Sequence, residues 1–546
     1  MTRKTAARHI VDALLTNGVT HVFCVPGESY LAVLDALYDV RDRIRLIACR
    51  HEAAAANMAE AFGKLTGRPG IVMVTRGPGA TQGSVGVHTA FQDSTPMIMF
   101  VGQVARSQFD REAFQEVDYR RMFAPLAKWA AEIDVPARAG EYVNRAFATA
   151  QNGRRGPVVL ALPEDVLTEE ADAASLPAAP IARAAPDPGA MTQFRSMLEG
   201  ARNPFLLVGG GGWTKSAVDD LRRFVHATGL PVGASFRSKD LFDNTDRHYA
   251  GDVGIAPNPA LAARIEASDL LIAFGPRLGE MTTSGYTLME APALKQKLIH
   301  IHPGAEELGR VYTPALAINA APPAMAQALS EQDWRLNDAW RDQAYAAHTD
   351  FLAYAAPVAV AEGVNLSSVF HWLDENLPPD AIMCNGAGNY AAWLHRFYRH
   401  KAFKTQLAPT SGAMGYGFPA ALAAKAVHPD RDVICAAGDG CFMMAAPELA
   451  TAVQYDLPVI ALVANNGTYG TIRMHQERDY PRRVSGTDLV NPDFAAFAKS
   501  FGAFGVTVTD EKDFPKVFEA AKASGKPAVI ELITSAREIA PGKRLD

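Results

Sequence analysis

Residues 438–466 read GDGCFMMAAPELATAVQYDLPVIALVANN, and this stretch decides how the chain folds. It predicts a strand ending at Gly438, a helix over about Ala445–Gln454 and a second strand over Val459–Ala464. A βαβ unit returns its second strand parallel to the first, so both carboxyl ends open into one crevice. Asp439 and the side-chain carbonyl of Asn466 would meet there as hard oxygen donors. Such donors suit Mg2+, whose octahedron is often completed by substrate phosphates. Gly438 and Gly440 let the backbone approach a diphosphate closely and present N–H donors to it. A GDG alone is a common turn. GDG, a helix and Asn-Asn at this spacing are much more specific.

A second block lies near the start of the chain. Ile44–Cys49 predicts a short strand, and Arg50-His51-Glu52 opens an Ala-rich helix over Ala53–Leu65. Glu52 therefore stands at a strand-to-helix junction. The plain reading is a carboxylate stabilised by the positive end of its helix. Taken together, Cys49–Ala56 (CRHEAAAA) and Gly438–Asn466 resemble the thiamine diphosphate (ThDP) enzyme superfamily. That superfamily includes acetolactate (acetohydroxyacid) synthase, pyruvate oxidase, benzoylformate decarboxylase and pyruvate decarboxylase. The resemblance implies that Asp439 and Asn466 ligate Mg2+ through side chains and Thr468 through its backbone carbonyl. It implies that Glu52 hydrogen-bonds a ring nitrogen of the ThDP aminopyrimidine and favours the tautomer that activates the thiazolium carbon. The cofactor then carries the nucleophile, and the protein supplies one acid, the fold and the field.

Composition agrees with a large globular enzyme. The 546 residues, 48% hydrophobic and 21% charged, predict three or four domains of ordinary size. A net charge of −6 gives no reason to expect nucleic acid, and no basic run suggests a membrane surface. Five cysteines without CxxC spacing read as reduced core residues of a cytoplasmic protein. The N-terminus, MTRKTAARHIVDALLTNGV, reads as an amphipathic helix rather than a signal peptide. No run approaches the roughly 20 apolar residues of a membrane span.

The fold expected is α/β, with three doubly wound parallel-sheet domains. Residues 1–168 alternate strands and helices, with strands at His21–Val25, Ile44–Cys49, Ile71–Thr75, Met97–Gly102 and Val158–Leu162. An Ala- and Pro-rich stretch without periodicity follows as a linker. A second domain spans 190–335, with strands at Pro204–Val208, Leu270–Phe274 and Leu298–Ile301, then a helical connection over 336–362. The third spans 363–546, with strands at Ala381–Cys384, Val433–Ala437, Val459–Ala464 and Ala528–Ile533. By resemblance these are pyrimidine-binding, central Rossmann-like and diphosphate-binding domains. The cofactor would then lie between the first domain of one subunit and the third of another, with a homodimer as minimum and a homotetramer expected.

More pocket residues follow from the same resemblance. Pro26 flanks the aminopyrimidine, and the glycine-rich turn from Thr75 to Gln82 frames that side. Gly412 and Met414, in Ser411–Pro419, match the segment whose methionine wedges beneath the cofactor and bends it. Ordinary core packing is the plain reading of Met414. Gly388, Asn389 and Tyr390 follow a strand and offer donors to the diphosphate, alongside Gly438, Gly440 and Cys441. Thr468, Tyr469, Gly470, Thr471 and Ile472 continue from Asn466 as the loop that covers the tail.

The acceptor side is mixed. TRGPGATQG, AFQDSTP, GQV, AFQEVD and GFPAALAAK resemble acetolactate synthase. Gln115 matches a glutamine that points at the reacting carbon, Phe114 precedes it, and Arg277 matches an arginine that receives the second substrate's carboxylate. A surface salt bridge is the plain reading of Arg277. Departures are as informative. Glu28 follows Gly27 where the synthases have a second glycine, and decarboxylases carry an acid there. Glu28 is thus a candidate proton donor in a pocket where burial raises its pKa, or else a surface ion-pair partner. His475 replaces the synthase tryptophan, and Glu164 replaces a lysine near the channel. Gly279-Glu280 replaces the two aspartates of the flavin site, so whether FAD binds stays open; LLVGGGGW (Leu206–Trp213) is a weak dinucleotide-type turn.

The expected activity is ThDP- and Mg2+-dependent decarboxylation of a small 2-oxo acid with ligation to a second carbonyl. The alternatives are a non-ligating decarboxylase using Glu28 and His475, a 2-hydroxyacyl-thioester lyase, or a non-catalytic ThDP-binding protein. An intact Glu52 argues against the last.

Overall fold

The computed structural model of the chain describes residues 2–545; Met1 and Asp546, the outer ends of the first and third expected domains, lie outside them. Contacts group the chain into two compact units. One comprises Met1–Ala182 with Leu422–Val427 and Ala445–Tyr455; the other comprises Arg183–Ala421, His428–Met444 and Asp456–Asp546.

The first unit opens with β1 (Thr2–Thr5), continues with β2 (His21–Cys24), β3 (Arg45–Ala48), β4 (Gly70–Val74), β5 (Met97–Gln103), β6 (Trp129–Glu132) and β7 (Pro157–Pro163), and adds β8 (Glu170–Ala173). Six of these form a parallel sheet in the order β3-β2-β4-β5-β7-β6. β4, β5 and β7 are buried at every position, which explains their unbroken apolar sequences. β1 pairs antiparallel with β8, from Thr2 opposite Ala173 to Thr5 opposite Glu170.

The second unit holds two sheets. β9 (Pro204–Val208), β10 (Val232–Ala234), β11 (Tyr249–Asp252), β12 (Leu270–Phe274), β13 (Lys297–His302) and β14 (Leu316–Asn319) form a parallel sheet ordered β11-β10-β9-β12-β13-β14. That is the order of dinucleotide-binding sheets. β15 (Ile382–Asn385), β16 (Gln406–Leu407), β17 (Val433–Gly438), β18 (Ile460–Asn465), β19 (Phe504–Val508) and β20 (Ala528–Ile533) form the other, ordered β16-β15-β17-β18-β20-β19. Each strand runs parallel to its neighbours, and Gly438 lies opposite Ala464 in the β17–β18 pair. Three α/β layers with doubly wound sheets are therefore present, as the sequence predicts.

Several local expectations change. The helix expected at Ala445–Gln454 is a 3-10 turn at Ala446–Glu448 running into the helix Leu449–Gln454, and a separate short helix, Asp439–Met443, precedes it. Pro447 stands in the first turn, where its missing N–H is tolerated, and Ala445, with a φ of −130°, separates this segment from the helix before it. The N-terminal segment is not helical throughout: Thr2–Thr5 is a strand, and the Thr5 hydroxyl then caps the helix Ala6–Thr16. The linker likewise contributes β8. Six sheet strands escape the sequence reading, namely β6, β10, β11, β14, β16 and β19. Within 336–362 the helix Asp338–Tyr354 buries Trp340 and Phe351 in the core of the central sheet. All five cysteines are buried and unpaired. Among the described residues, no helix is long and apolar enough to cross a membrane.

Candidate active site

In a doubly wound sheet the crevice opens where the strand order reverses. In the first unit that point is between β2 and β4, and the residues singled out there converge. His51 caps the helix Glu52–Thr66, its Nδ1 accepting the Ala53 N–H at 3.1 Å, and Glu52 is the first helical residue. A carboxylate suits that position because free N–H groups and the helix dipole face it. The facing helix, Pro78–Asp93, presents small residues to it: a Cβ built on Gly79 would lie 3.4 Å from Glu52 Oε1, and one on Gly83 would lie 3.8 Å from Glu52 Cβ. The Gly27 turn closes on Thr75, where a Cβ on Gly27 would come within 2.4 Å of Thr75 Cβ. The Ser29 and Thr75 hydroxyls are hydrogen-bonded at 2.8 Å, and Ser29 Oγ also accepts the Arg76 N–H. Gln115 is brought against the same turn, 2.8 Å from where a Gly77 Cβ would stand, and holds a left-handed φ of 68°. A non-glycine residue in that region is strained, so the packing of this turn has to hold Gln115 in place.

The sequence missed the residues that hold this arrangement. Glu448 is fully buried and accepts the backbone N–H groups of Arg50 at 2.9 Å and His51 at 3.0 Å, so it fixes the junction that aims Glu52. Burial pushes its carboxyl above the ordinary glutamate range. Tyr119 hydrogen-bonds the Gly77 N–H at 2.7 Å. Arg76 is buried and donates to Glu164 at 2.6 Å. A charged residue inside TRGPG and another inside AAPELATAV are the only sequence signals for Arg76 and Glu448.

In the second unit the reversal lies between β15 and β17. Asp439 heads the helix Asp439–Met443 and is 3% exposed. Its Oδ1 accepts Gly440 N–H at 2.8 Å; its Oδ2 accepts Gly467 N–H at 2.9 Å and the Asn491 amide at 2.8 Å. Burial nonetheless raises its carboxyl above the ordinary range. Asn466 follows β18, and its Oδ1 accepts the Thr468 N–H at 3.1 Å. Gly470 lies close by, a Cβ there falling 3.2 Å from Asn466 Nδ2, and Thr471 donates to Asn389 Oδ1 at 2.8 Å. These are oxygen donors and amides around a buried carboxylate, a set that fits Mg2+ shared with a diphosphate. Asn491, 52 residues beyond Asp439 and also bonded to Asn465, was not foreseen.

Other expected residues are placed differently. Tyr390 and Cys441 face the core: the Tyr390 hydroxyl accepts Gly386 N–H at 3.0 Å and meets Cys441 Sγ at 3.4 Å. They shape the loop of Gly388 (φ 146°) from beneath. Tyr469 packs over Gly440, and Thr468 is buried, its hydroxyl bonded to Thr487. Met414 is half-buried against the third core, with Gly412 open beside it. Pro26, Gln82, Phe114, Ile472 and His475 are exposed in the single chain. Glu28 is 68% exposed in the single chain, 3.8 Å from Arg76, the ion-pair placement that its second reading allowed. Arg277 pairs with the buried Glu307 at 3.4 Å, in line with its plain reading.

Comparison with known proteins assigns each of the two regions to a domain family. Residues 4–122 match the N-terminal TPP (thiamine pyrophosphate, that is ThDP) binding domain of thiamine pyrophosphate enzymes. Residues 191–329 match their central domain and 386–532 their C-terminal TPP binding domain. The chain is 31% identical to the acetolactate synthase large subunit of Parasynechococcus marenigrum, over 97% of this chain and 87% of that protein. It is 31% identical to that of Corynebacterium glutamicum with the same coverage of both chains, 97% and 87%. For the isozyme 2 large subunit of Escherichia coli the figure is 29%, over 96% and 95%. The chain thus belongs to the thiamine pyrophosphate enzymes, and it is similar over nearly its whole length to acetolactate synthase large subunits.

Proposed function

We propose that this enzyme, with ThDP and Mg2+, decarboxylates a small 2-oxo acid and ligates the remainder to a second carbonyl compound. The observation that carries the reading is Glu52, a carboxylate aimed by Glu448 at the head of its helix beside the cleared face of Gly79 and Gly83. When bound, ThDP supplies a carbon nucleophile for the 2-oxo acid. Glu52 holds a proton against the pyrimidine, a role in general acid–base chemistry. Pro26, Thr75 and Gln82 frame that ring, and Met414 supports the cofactor from below. Asp439, Asn466 and the Thr468 carbonyl hold Mg2+, while Gly438, Gly440 and Gly470 let the diphosphate approach the backbone. Gln115 donates its amide to a substrate oxygen, with Phe114, Glu28, His475 and Arg277 around the acceptor.

Phe114 and Ile472, 72% and 53% exposed in the single chain, suit burial by a partner subunit, and we propose a homodimer as minimum and a homotetramer as the working form. Five buried thiols suit a reducing cytoplasm. No flavin step is included. The glycine-rich turn after β9 is already explained by packing, since a Cβ on Gly209 would lie 2.0 Å from Ser235 Oγ and one on Gly210 would lie 2.0 Å from the Gly275 carbonyl. Absorbance at about 450 nm in purified enzyme would report a flavin directly.

Incubation with pyruvate, ThDP and Mg2+ followed by product analysis tests the reading. Acetolactate or acetoin supports it. Acetaldehyde alone moves the enzyme to the decarboxylases, and no turnover across a panel of 2-oxo acids overturns it.

A further inference from the structure

We infer that the second carbonyl compound is uncharged, an aldehyde or ketone, because the strand ends bearing Glu28, Arg76 and Glu164 present an uncompensated carboxylate. The inference deepens the proposed function and rests on it. Three crossovers of the first sheet meet here: Glu28 follows β2, Arg76 follows β4, and Glu164 follows β7. Arg76 Nη1 donates to Glu164 Oε2 at 2.6 Å, and Nη2 stands 3.8 Å from Glu28 Oε1. Its Nε is buried without a hydrogen-bond partner, enclosed by protein rather than turned to a ligand. Of the guanidinium's three nitrogens, one is enclosed, one is taken by Glu164 and one looks toward Glu28, so one positive charge faces two negative ones.

Glu28 is the carboxylate left outward. Its backbone is clamped, because Ser29 is fully buried and hydrogen-bonded to Thr75 while Gly27 packs on Thr75. Its side chain is 68% exposed and leads away from that clamp. Glu52 adds a second carboxylate to the same group of strand ends, its Oε1 facing Gly79. The neutral group nearby is Gln115, which can donate to a carbonyl oxygen without demanding a charge on the rest of the molecule. Arg277, the residue that could receive a second carboxylate, already directs its Nε to Glu307. A like charge at the approach to a site disfavours an anion and leaves a neutral molecule unaffected, which is the repulsive element that discrimination needs.

Competition between acceptors tests this on the full-length holoenzyme. Pyruvate, 2-oxobutyrate and benzoylformate are screened as donors, and the best is then supplied with equal concentrations of acetaldehyde and 2-oxobutyrate. Because 2-oxobutyrate can also load the enzyme as a donor, only products carrying the chosen donor's acyl group are counted, and the ratio of those cross-products reports the acceptor step. The expected ratio favours the aldehyde-derived 2-hydroxyketone at least about tenfold. Glu28→Gln should lower that preference about tenfold through the KM of the oxo acid, and Glu28→Asp should restore it. The side chain is exposed, so neither variant threatens the fold. A wild-type preference for the oxo acid overturns the inference while leaving the proposed function standing. So does an unchanged ratio in Glu28→Gln, or an Arg277→Ala variant that selectively loses the oxo acid acceptor. Failure to consume any donor overturns the proposed function and the inference with it.

Discussion

The first and third sheets are wound identically. Numbered within each domain, both run 2-1-3-4-6-5, yet they place different chemistry at the same point of reversal. At the first, after β2, β3 and β4, stand carboxylates and an amide on side chains: Glu28, Glu52 and, folded against them, Gln115. At the third, after β15, β17 and β18, stand glycines, backbone N–H groups and the oxygens of Asp439 and Asn466. The scaffold therefore fixes where a ligand is met, and the loops decide whether it meets proton chemistry or phosphate chemistry. The central sheet, ordered 3-2-1-4-5-6, spends its glycine turn on contacts with its own neighbouring loops.

The comparison is broken most severely at Glu52. Glu52→Gln should lower turnover by about 10²–10⁴-fold, with ThDP uptake retained in calorimetry. Retained turnover would reduce the first reversal to a packing feature. Asp439→Asn should instead weaken Mg2+-dependent ThDP uptake, and Asn491→Ala should do so by about ten- to a hundredfold. Because burial raises the Asp439 carboxyl, protons compete with Mg2+ there at a higher pH than at an ordinary aspartate. Mg2+ affinity should therefore decline on acidification before exposed carboxylates titrate, and a pH series of Mg2+ titrations reads this.

Smaller effects sharpen the comparison. Glu448→Ala leaves the Arg50 and His51 N–H groups without their acceptor and should cost about 1–3 kcal/mol of stability, with turnover falling as Glu52 loses its aim. Thermal unfolding and kinetics on one preparation separate the two effects. His21, at the start of β2, has its pKa held down from 6.5 to about 4, chiefly by burial and then by Arg45. Between those values the unfolded chain binds more protons than the folded one, so stability rises with pH through the window and is complete above it. His21→Phe should flatten that slope in urea titrations at several pH values.

Much of this was legible because it is local. GDG, the following crossover and Asn-Asn lie within one βαβ unit, and Glu52 sits where a strand pattern turns into a helix pattern. The features hidden from the sequence are either short or distant. β6, β10, β11, β14, β16 and β19 have two to five residues each, and most lie toward sheet edges where an apolar run is not required. Glu448 reaches the backbone of residues 50 and 51 across almost four hundred positions, and Asn491 reaches Asp439 across a span that includes β18 and the helix Gly470–Asp479. Pairings at that separation leave no periodicity to read. Glu28 was left with two readings for another reason: a motif gives the residues at the end of a strand but not the charges contributed by neighbouring strands, and Arg76 is such a neighbour.

The antiparallel pairing of Thr2–Thr5 with Glu170–Ala173 carries a consequence for biogenesis. β1 is made some 170 residues before β8, a delay of about ten to thirty seconds at ordinary elongation rates. Until β8 follows, the first sheet lacks this clasp, and Thr2–Thr5 travels as an unmatched strand open to chaperones.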